Sequence, residues 1–252
     1  MTDSPGGALV MRQRHEQMLK LVAKGFYREL INYGVNSGEI ITVAGHLLDN
    51  LIRKDTAPDS AAGYYNQVFR IDDVRDAWAR RHLLTVHDVS LRPLEAALIP
   101  QIAAWLMDRA VSESFVPAFP VSVEELTSYL FETSRLYFGI YYRNQPAGIM
   151  GAENIDQGTS KLEMRKLVGH ALGGKGIGKR ATFLLLYYAF EILRFNKVYL
   201  HSTDVNIRNL NLNSKFGFEL EGVFFEEVLV QGTLRDVVRM GLRAQRWREL
   251  FA

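Results

Sequence analysis

A chain of 252 residues that is 48% hydrophobic can bury one sizeable core, or one core and a small satellite. Its formal charge of +2 is too nearly balanced to draw nucleic acid by bulk electrostatics, and the absence of cysteine excludes disulfides, thiolate metal sites and a cysteine nucleophile. Scattered histidines with no HExxH pattern give no metal site, and no apolar run reaches membrane-spanning length; no metal and no membrane partner are expected, and a cytoplasmic setting is the default.

Residues 1–10 are polar and glycine-bearing and read as a frayed start. From Arg12 onward, Met18, Val22, Phe26 and Leu30 recur at spacing four, predicting an amphipathic helix that ends near Gly34. Asn36 and Glu39 form a cap for a second helix, with Ile40, Val43, Ala44, Leu47, Leu48 and Leu51 on one face. Residues 55–63 are a loop by composition, and a third helix over 72–84 carries Val74 and Trp78. Residues 1–83 thus read as a helical extension to a domain at 84–252. The extension is either a layer packed on that domain or on a second copy, as in a homodimer, or a docking surface for a carrier protein or larger substrate. Apolar stripes at helical spacing are usually core, which favours the first reading.

A strand is expected at 89–94 and a helix at 97–111. Ser122 and Glu125 form a capping box that opens a helix through Phe131. Strands follow at 136–142, 147–154 and 161–168, then a glycine-rich loop and a helix at 179–193. A strand at 197–202, a helix at 205–215 and two long strands at 220–230 and 233–243 complete the series. The hydrophobic period switches repeatedly between 2 and 3.6 with no internal repeat, which is the pattern of a mixed α/β domain.

The loop is the most informative stretch. Gly173, Gly174, Lys175, Gly176, Ile177, Gly178, Lys179 and Arg180 join a strand to a helix. Glycines there let backbone N–H groups converge, and the helix start adds the positive end of its dipole. No Asp or Glu lies between Met164 and Phe190, whereas Arg165, Lys166, Lys175, Lys179 and Arg180 do, so a phosphate-bearing ligand is the natural reading. A bulky residue at Gly176 is expected to block the phosphate. As a nucleotide P-loop the run fails, because Arg180 stands where a Mg²⁺-binding hydroxyl is needed. As a dinucleotide fingerprint it fails at Lys179, where glycine is needed.

A third pattern, [RQ]-x-x-G-x-[GA], matches at Gly176 and Gly178 and departs at Gly173. It belongs to the GNAT superfamily of acyl-CoA-dependent N-acyltransferases. The chain resembles that superfamily, and its ribosomal-protein and amino-sugar branch in particular, over residues 86–247. Leu91, Arg92, Pro93 and Leu94 are similar to its first strand, and residues 138–150 to its second and third. Asn206 through Lys215, Gly217 and Phe218 resemble its N-x-x-[AS]-x-x-x-Y-x-K-x-G-F helix. Gly222, followed by Gly232 to Asp236 and Met240, resembles its closing hairpin. The resemblance implies a mostly antiparallel central sheet flanked by helices, its fourth strand (161–168) and fifth strand (197–202) splayed around a pantetheine arm.

It also implies the chemistry: acetyl-CoA, or another acyl-CoA, as co-substrate and direct acetyl transfer to a primary amine. Without a cysteine to carry the acyl group, transfer within a ternary complex is favoured. By the resemblance, a backbone N–H near Val168 bonds the thioester oxygen and amides of residues 176–179 hold the pyrophosphate. Asn206 contacts the pantetheine arm or caps its helix. His201 stands five positions before Asn206, where relatives carry a glutamate base, and can take the ammonium proton. Glu163 is the second candidate base and Asp204 the third, while Glu226 and Glu227 shape the amine pocket. Asn213 stands where many relatives have an acidic tyrosine; it can hydrogen-bond the sulfur, or Tyr141, Tyr142 or Tyr199 supplies the proton. The acceptor is a small-molecule amine or nucleotide-linked amino sugar. The alternatives are a protein N-terminus as acceptor, a carrier protein as donor, or a non-catalytic acyl-CoA-binding module.

Overall fold

Along the central strands, side chains alternate between two apolar layers, and that alternation fixes where the site forms. The computed structural model describes residues 5–32, 35–36, 39–41, 44, 69, 71–108, 111, 119–120, 122–169, 172, 175–203, 206–230 and 232–251. Eight strands make one sheet: β1 (Leu84–Val86), β2 (Val89–Pro93), β3 (Leu136–Tyr142), β4 (Gln145–Asp156), β5 (Lys161–Val168), β6 (Lys197–Thr203), β7 (Glu219–Val230) and β8 (Thr233–Arg243). Their spatial order is β1-β2-β3-β4-β5-β6-β8-β7, and every neighbouring pair is antiparallel except β5 and β6. The described helices are α1 (Pro5–Asn32), α2 (Ile71–Arg81), α3 (Ile99–Met107), α4 (Val123–Leu130), α5 (Ile177–Tyr187), α6 (Ile207–Lys215) and α7 (Ala244–Phe251).

Leu162 and Met164 of β5 face the larger core with Met150 and Ala152 of β4, under α5 and α7. Leu167 and Ile149 face the smaller core under α3 and α4, with Tyr137. Period-two alternation therefore sends Glu163 and Arg165 to the α3–α4 side and Lys166 to the α5 side. β5 and β6 pair only at Lys161 with Lys197, Leu162 with Val198 and Glu163 with Tyr199, and then part. The splay implied by the resemblance is present, and it opens immediately after Glu163.

The capping box is formed as expected: Ser122 Oγ accepts the Glu125 N–H (3.3 Å) and donates to the Glu125 carboxylate (2.8 Å). Asn36 and Glu39 exchange a fully reciprocal pair, each backbone N–H bonding the other's side chain at 2.9 and 3.1 Å. Val43, Leu47, Leu48 and Leu51 of the second predicted helix, and the loop at 55–63, lie outside the described residues.

Several boundaries differ from the sequence reading, the helix expected at 97–111 running only over Ile99–Met107 among them, and two elements were not foreseen. Helix α1 begins at Pro5, taking in residues expected to fray, because a proline in the first turn gives up no needed donor. Its predicted stripe does not hold, since steps of four residues drift about 40° each around a helix. Met18 and Leu21 pack against the larger core, while Phe26 is exposed. Helix α2 stops at Arg81, where His82 turns left-handed (φ 52°), and Leu84 enters an unforeseen edge strand, β1. Helix α5 begins two residues earlier than expected and runs into a π turn at Tyr188–Ile192. Helix α7 was not foreseen, although Ala244, Trp247, Leu250 and Phe251, all buried, carry helical spacing.

Candidate active site

The point where β5 and β6 part holds a polar cluster centred on Glu163. Glu163 is 1% exposed, and its carboxylate accepts from Asn154 Nδ2 (2.7 Å) and meets Arg165 Nη2 (3.0 Å) and His201 Nδ1 (2.8 Å). A bulge in β4 brings Asn154 there: the β4–β5 register slips between Glu153 and Asp156, and Asn154 is left-handed (φ 47°). Burial raises the Glu163 carboxyl, but the His201 bond, the Arg165 charge and Asn154 outweigh it and hold it below the ordinary carboxylate range. An ionised carboxylate only accepts hydrogen bonds, so in the neutral imidazole Nδ1 carries the proton and Nε2 is the acceptor.

Arg165 continues the network to Glu153, with Nε 3.2 Å from its carboxylate. The Glu153 carboxylate also accepts from Tyr129 (2.6 Å) and from Tyr137. Burial and this carboxylate push the Tyr129 hydroxyl up to about 12 and raise Tyr137 further. On the other flank, Tyr199 and Phe224 lie edge-on to the His201 ring at 5.8 and 5.9 Å. The Arg239 guanidinium lies 4.0 Å over the Tyr199 ring, and its Nε bonds Glu221 at 3.1 Å. Burial raises the Tyr199 hydroxyl, keeping it a proton donor.

The sequence reading counted Arg165 and Arg180 among the cations of a phosphate site, and the structure takes Arg165 away from it. Arg165 points to the opposite face and is tied to two carboxylates, while Arg180 stays at the loop, its Nη1 donating to Asp88 of the β1–β2 turn (2.9 Å) and to the Lys175 carbonyl (3.3 Å). Counting along a strand misses alternation: Glu163 stands two residues back on the same face of β5, Glu153 lies on the neighbouring strand, and Asp88 comes from a turn distant in sequence.

The loop has the expected conformation where it is described; Gly173 and Gly174 lie outside the described residues. Gly176 caps α5 with φ 71°, no acid stands in the first turn, and the first intrahelical bond is from Arg180 N–H to Gly176 O (3.1 Å). The amides of Ile177 and Gly178 precede that bond, as an anion site requires. Lys175 is exposed, with Nζ 5.8 Å from the Tyr142 ring, and Lys179 Nζ lies 5.7 Å from the Phe69 ring. Val168 ends β5 beside this loop, its Cγ2 3.8 Å from where a Cβ on Gly178 would stand.

Asn206 caps α6, its Oδ1 accepting from the Asn209 N–H at 3.2 Å. Asn213 is fully buried, and neither amide atom has a hydrogen-bond partner. An orphaned buried amide costs roughly 1–3 kcal/mol, which a ligand able to bond it would recover. Tyr199 joins the His201 cluster, whereas Tyr141 lies under Arg92 (4.4 Å) and Tyr142 near Lys175, toward the loop. Asp204 lies outside the described residues, and Glu226 is exposed at a second bulge (φ 51°) with its N–H on Asp236 (3.0 Å). Asn154, Glu153 and Arg239 were not singled out as site residues from sequence, and Arg165 was given a different role; the pairing of strands, unseen in a linear reading, assembles them. Among the described residues no group of three or more His, Asp or Glu is placed to hold a metal, and no helix is long and apolar enough to cross a membrane.

Comparison with known proteins gives the family and the fold. Residues 88–219 match the family model described as Acetyltransferase (GNAT) domain. The spermidine N(1)-acetyltransferase of Escherichia coli K12 is 25% identical over 160 residues, covering 62% of this chain and 86% of that protein. The spermidine N(1)-acetyltransferase of Vibrio cholerae is 37% identical over 93 residues, covering 37% of this chain and 54% of that one. The fold is shared with a crystal structure of spermidine N-acetyltransferase from Vibrio cholerae in complex with CoA and spermine, at TM-score 0.59 and 23% identity, over 64% of this chain and 98% of that one.

Proposed function

The chain belongs to the GNAT acetyltransferase family, and from that premise we propose that it moves acetyl directly from acetyl-CoA to the primary amine of a small molecule, with His201 as base. The carrying observation is the Glu163–His201 pair (2.8 Å) at the point where β5 and β6 part. The chain's residues suit this donor in three respects: the gap itself, the Gly176 loop without acids, and the unpartnered Asn213 amide. Acetyl-CoA supplies a thioester carbonyl for a neutral amine to attack, with a thiolate to leave.

His201 Nε2 takes the ammonium proton, directly or through water, while Glu163 holds Nδ1–H and stabilises the charged ring. Its lowered proton affinity makes Glu163 a weak base and a good orienting group. Amides of Gly176, Ile177, Gly178 and Lys179 hold the pyrophosphate, and a backbone N–H near Val168 polarises the carbonyl. Asn206 keeps its cap while reaching the pantetheine arm, and Asn213 bonds the sulfur. Tyr199, of the three tyrosines considered, is the one beside His201 and returns the proton. Glu226 and Glu227 lie a short way along β7 from Phe224 and offer negative charge to an approaching amine. Relatives named for spermidine support a small-molecule amine as acceptor.

Measuring CoA release with a panel of polyamines, amino sugars and peptide N-termini tests this, and release with at least one small amine is expected. Binding of acetyl-CoA without release for any amine would instead make the chain a binding module.

Gly176→Val should weaken acetyl-CoA binding about tenfold or more. A left-handed conformation costs an L-residue roughly 1–2 kcal/mol, and a β-branched one more. Among the described residues, none apart from its own chain neighbours lies within 4 Å of a Cβ placed there, so backbone conformation adds a reason beyond blocking the ligand. Gly176→Asn, which tolerates φ > 0, should bind closer to the native protein. Equal affinities for both variants in isothermal titration would refute the conformational argument.

A further inference from the structure

Strand alternation places Lys166 on the face of β5 that α5 covers. Its stem passes beneath the first turn of that helix, Cδ and Cε lying 3.9 and 4.0 Å from where a Cβ on Gly178 would stand. Nζ donates to Thr182 Oγ1 at 3.0 Å, and Thr182 Oγ1 donates to Gly178 O at 2.8 Å. The stem thus passes under Gly178, and the ammonium is held within about a turn of the helix start, linked through Thr182 to the Gly178 carbonyl.

No carboxylate offsets it among the described ion pairs. The charged groups on the loop and α5 are Lys175, Lys179 and Arg180, and Arg180 is held by Asp88. Met150 of β4 faces it in register, while Glu163 and Arg165 of its own strand occupy the other face. Burial alone lowers the Lys166 amine to about 8. A desolvated ammonium beside the positive end of a helix dipole is doubly unfavourable, and an anion at that helix start relieves both terms.

We propose that Lys166 is the half-buried counter-charge for the donor's pyrophosphate, acting from the sheet where Gly173 brings no side chain from the loop. This rests on the reading that acetyl-CoA places its diphosphate at the Gly176 loop. A diphosphate favours the charged amine, so binding draws a proton onto Lys166 wherever the free protein has begun to lose it. Affinity is then full below pH 8 and falls as pH rises through it.

Isothermal titration with acetyl-CoA, which has no free thiol to titrate, tests this at pH 7 and 9 in buffers of differing ionisation enthalpy. The native protein should bind about tenfold more weakly at pH 9 and take up protons between the two values. Lys166→Met fills the path of the stem without charge; it should bind about tenfold more weakly at pH 7, lose the proton uptake and bind equally at both pH values. Acetyl-dephospho-CoA, which keeps the diphosphate, should reproduce the contrast, and acetyl-pantetheine, which lacks it, should not. Native affinity or undiminished proton uptake in Lys166→Met overturns the proposal, as does native protein that binds with no proton uptake, a result needing no variant. Native protein that fails to bind acetyl-CoA at either pH overturns the donor reading itself.

Discussion

Trp247→Ala should destabilise the protein by about 3–5 kcal/mol, the range for deleting a large aromatic side chain from a packed core. Trp247 is 0% exposed, with Phe251 stacked at 4.1 Å, Phe190 at 5.6 Å and Phe183 tilted at 5.8 Å. Its Nε1 donates to Glu191 at 2.8 Å, on the π turn that follows α5. Alanine leaves a cavity bounded by rings on three elements, which cannot close around it without moving α5, the helix that begins at the anion loop. Trp247→Phe keeps most of the stack and loses the hydrogen bond, so about 1 kcal/mol is expected. Urea unfolding followed by circular dichroism gives both values; a Trp247→Ala midpoint within error of the native one would show that α7 does not belong to the core.

Trp247 also marks where sequence reading stopped short. Strands β3 and β5 were placed from periodicity because each is long enough to show alternation between two covered faces. Strand β1, with three residues, is too short for any period, and α7 carries four apolar positions among charged ones at the end of the region that the family resemblance covered. Helical caps were legible because Ser122 and Glu125 need only local geometry. The site was half legible. His201 and Glu163 were each singled out, yet nothing linear says that they touch, since residues 38 apart meet only through the parallel β5–β6 pair. Arg165 was assigned to the anion loop on composition, and alternation sends it to the carboxylates instead.

That contact sets up the sharpest catalytic test. His201→Ala should lower turnover by about 10²-fold or more, the low end for a positioned general base, while acetyl-CoA affinity stays near native. The acid limb of kcat at saturating amine should change with it. The imidazole accepts a proton only when neutral, so native turnover falls as pH falls, and removing His201 removes that contribution. Glu163→Gln separates the two roles. If Glu163 only orients the ring and balances its charge, glutamine keeps part of the hydrogen bonding, and the loss should lie between native and His201→Ala. The double variant should then be little worse than His201→Ala alone, because an orienting group has nothing left to orient. If Glu163 is itself the base, the order reverses: Glu163→Gln becomes the more damaging change and His201→Ala retains the acid limb. The lowered proton affinity of Glu163 argues against that order, since a carboxylate already held below its ordinary range by His201, Arg165 and Asn154 competes poorly for an ammonium proton.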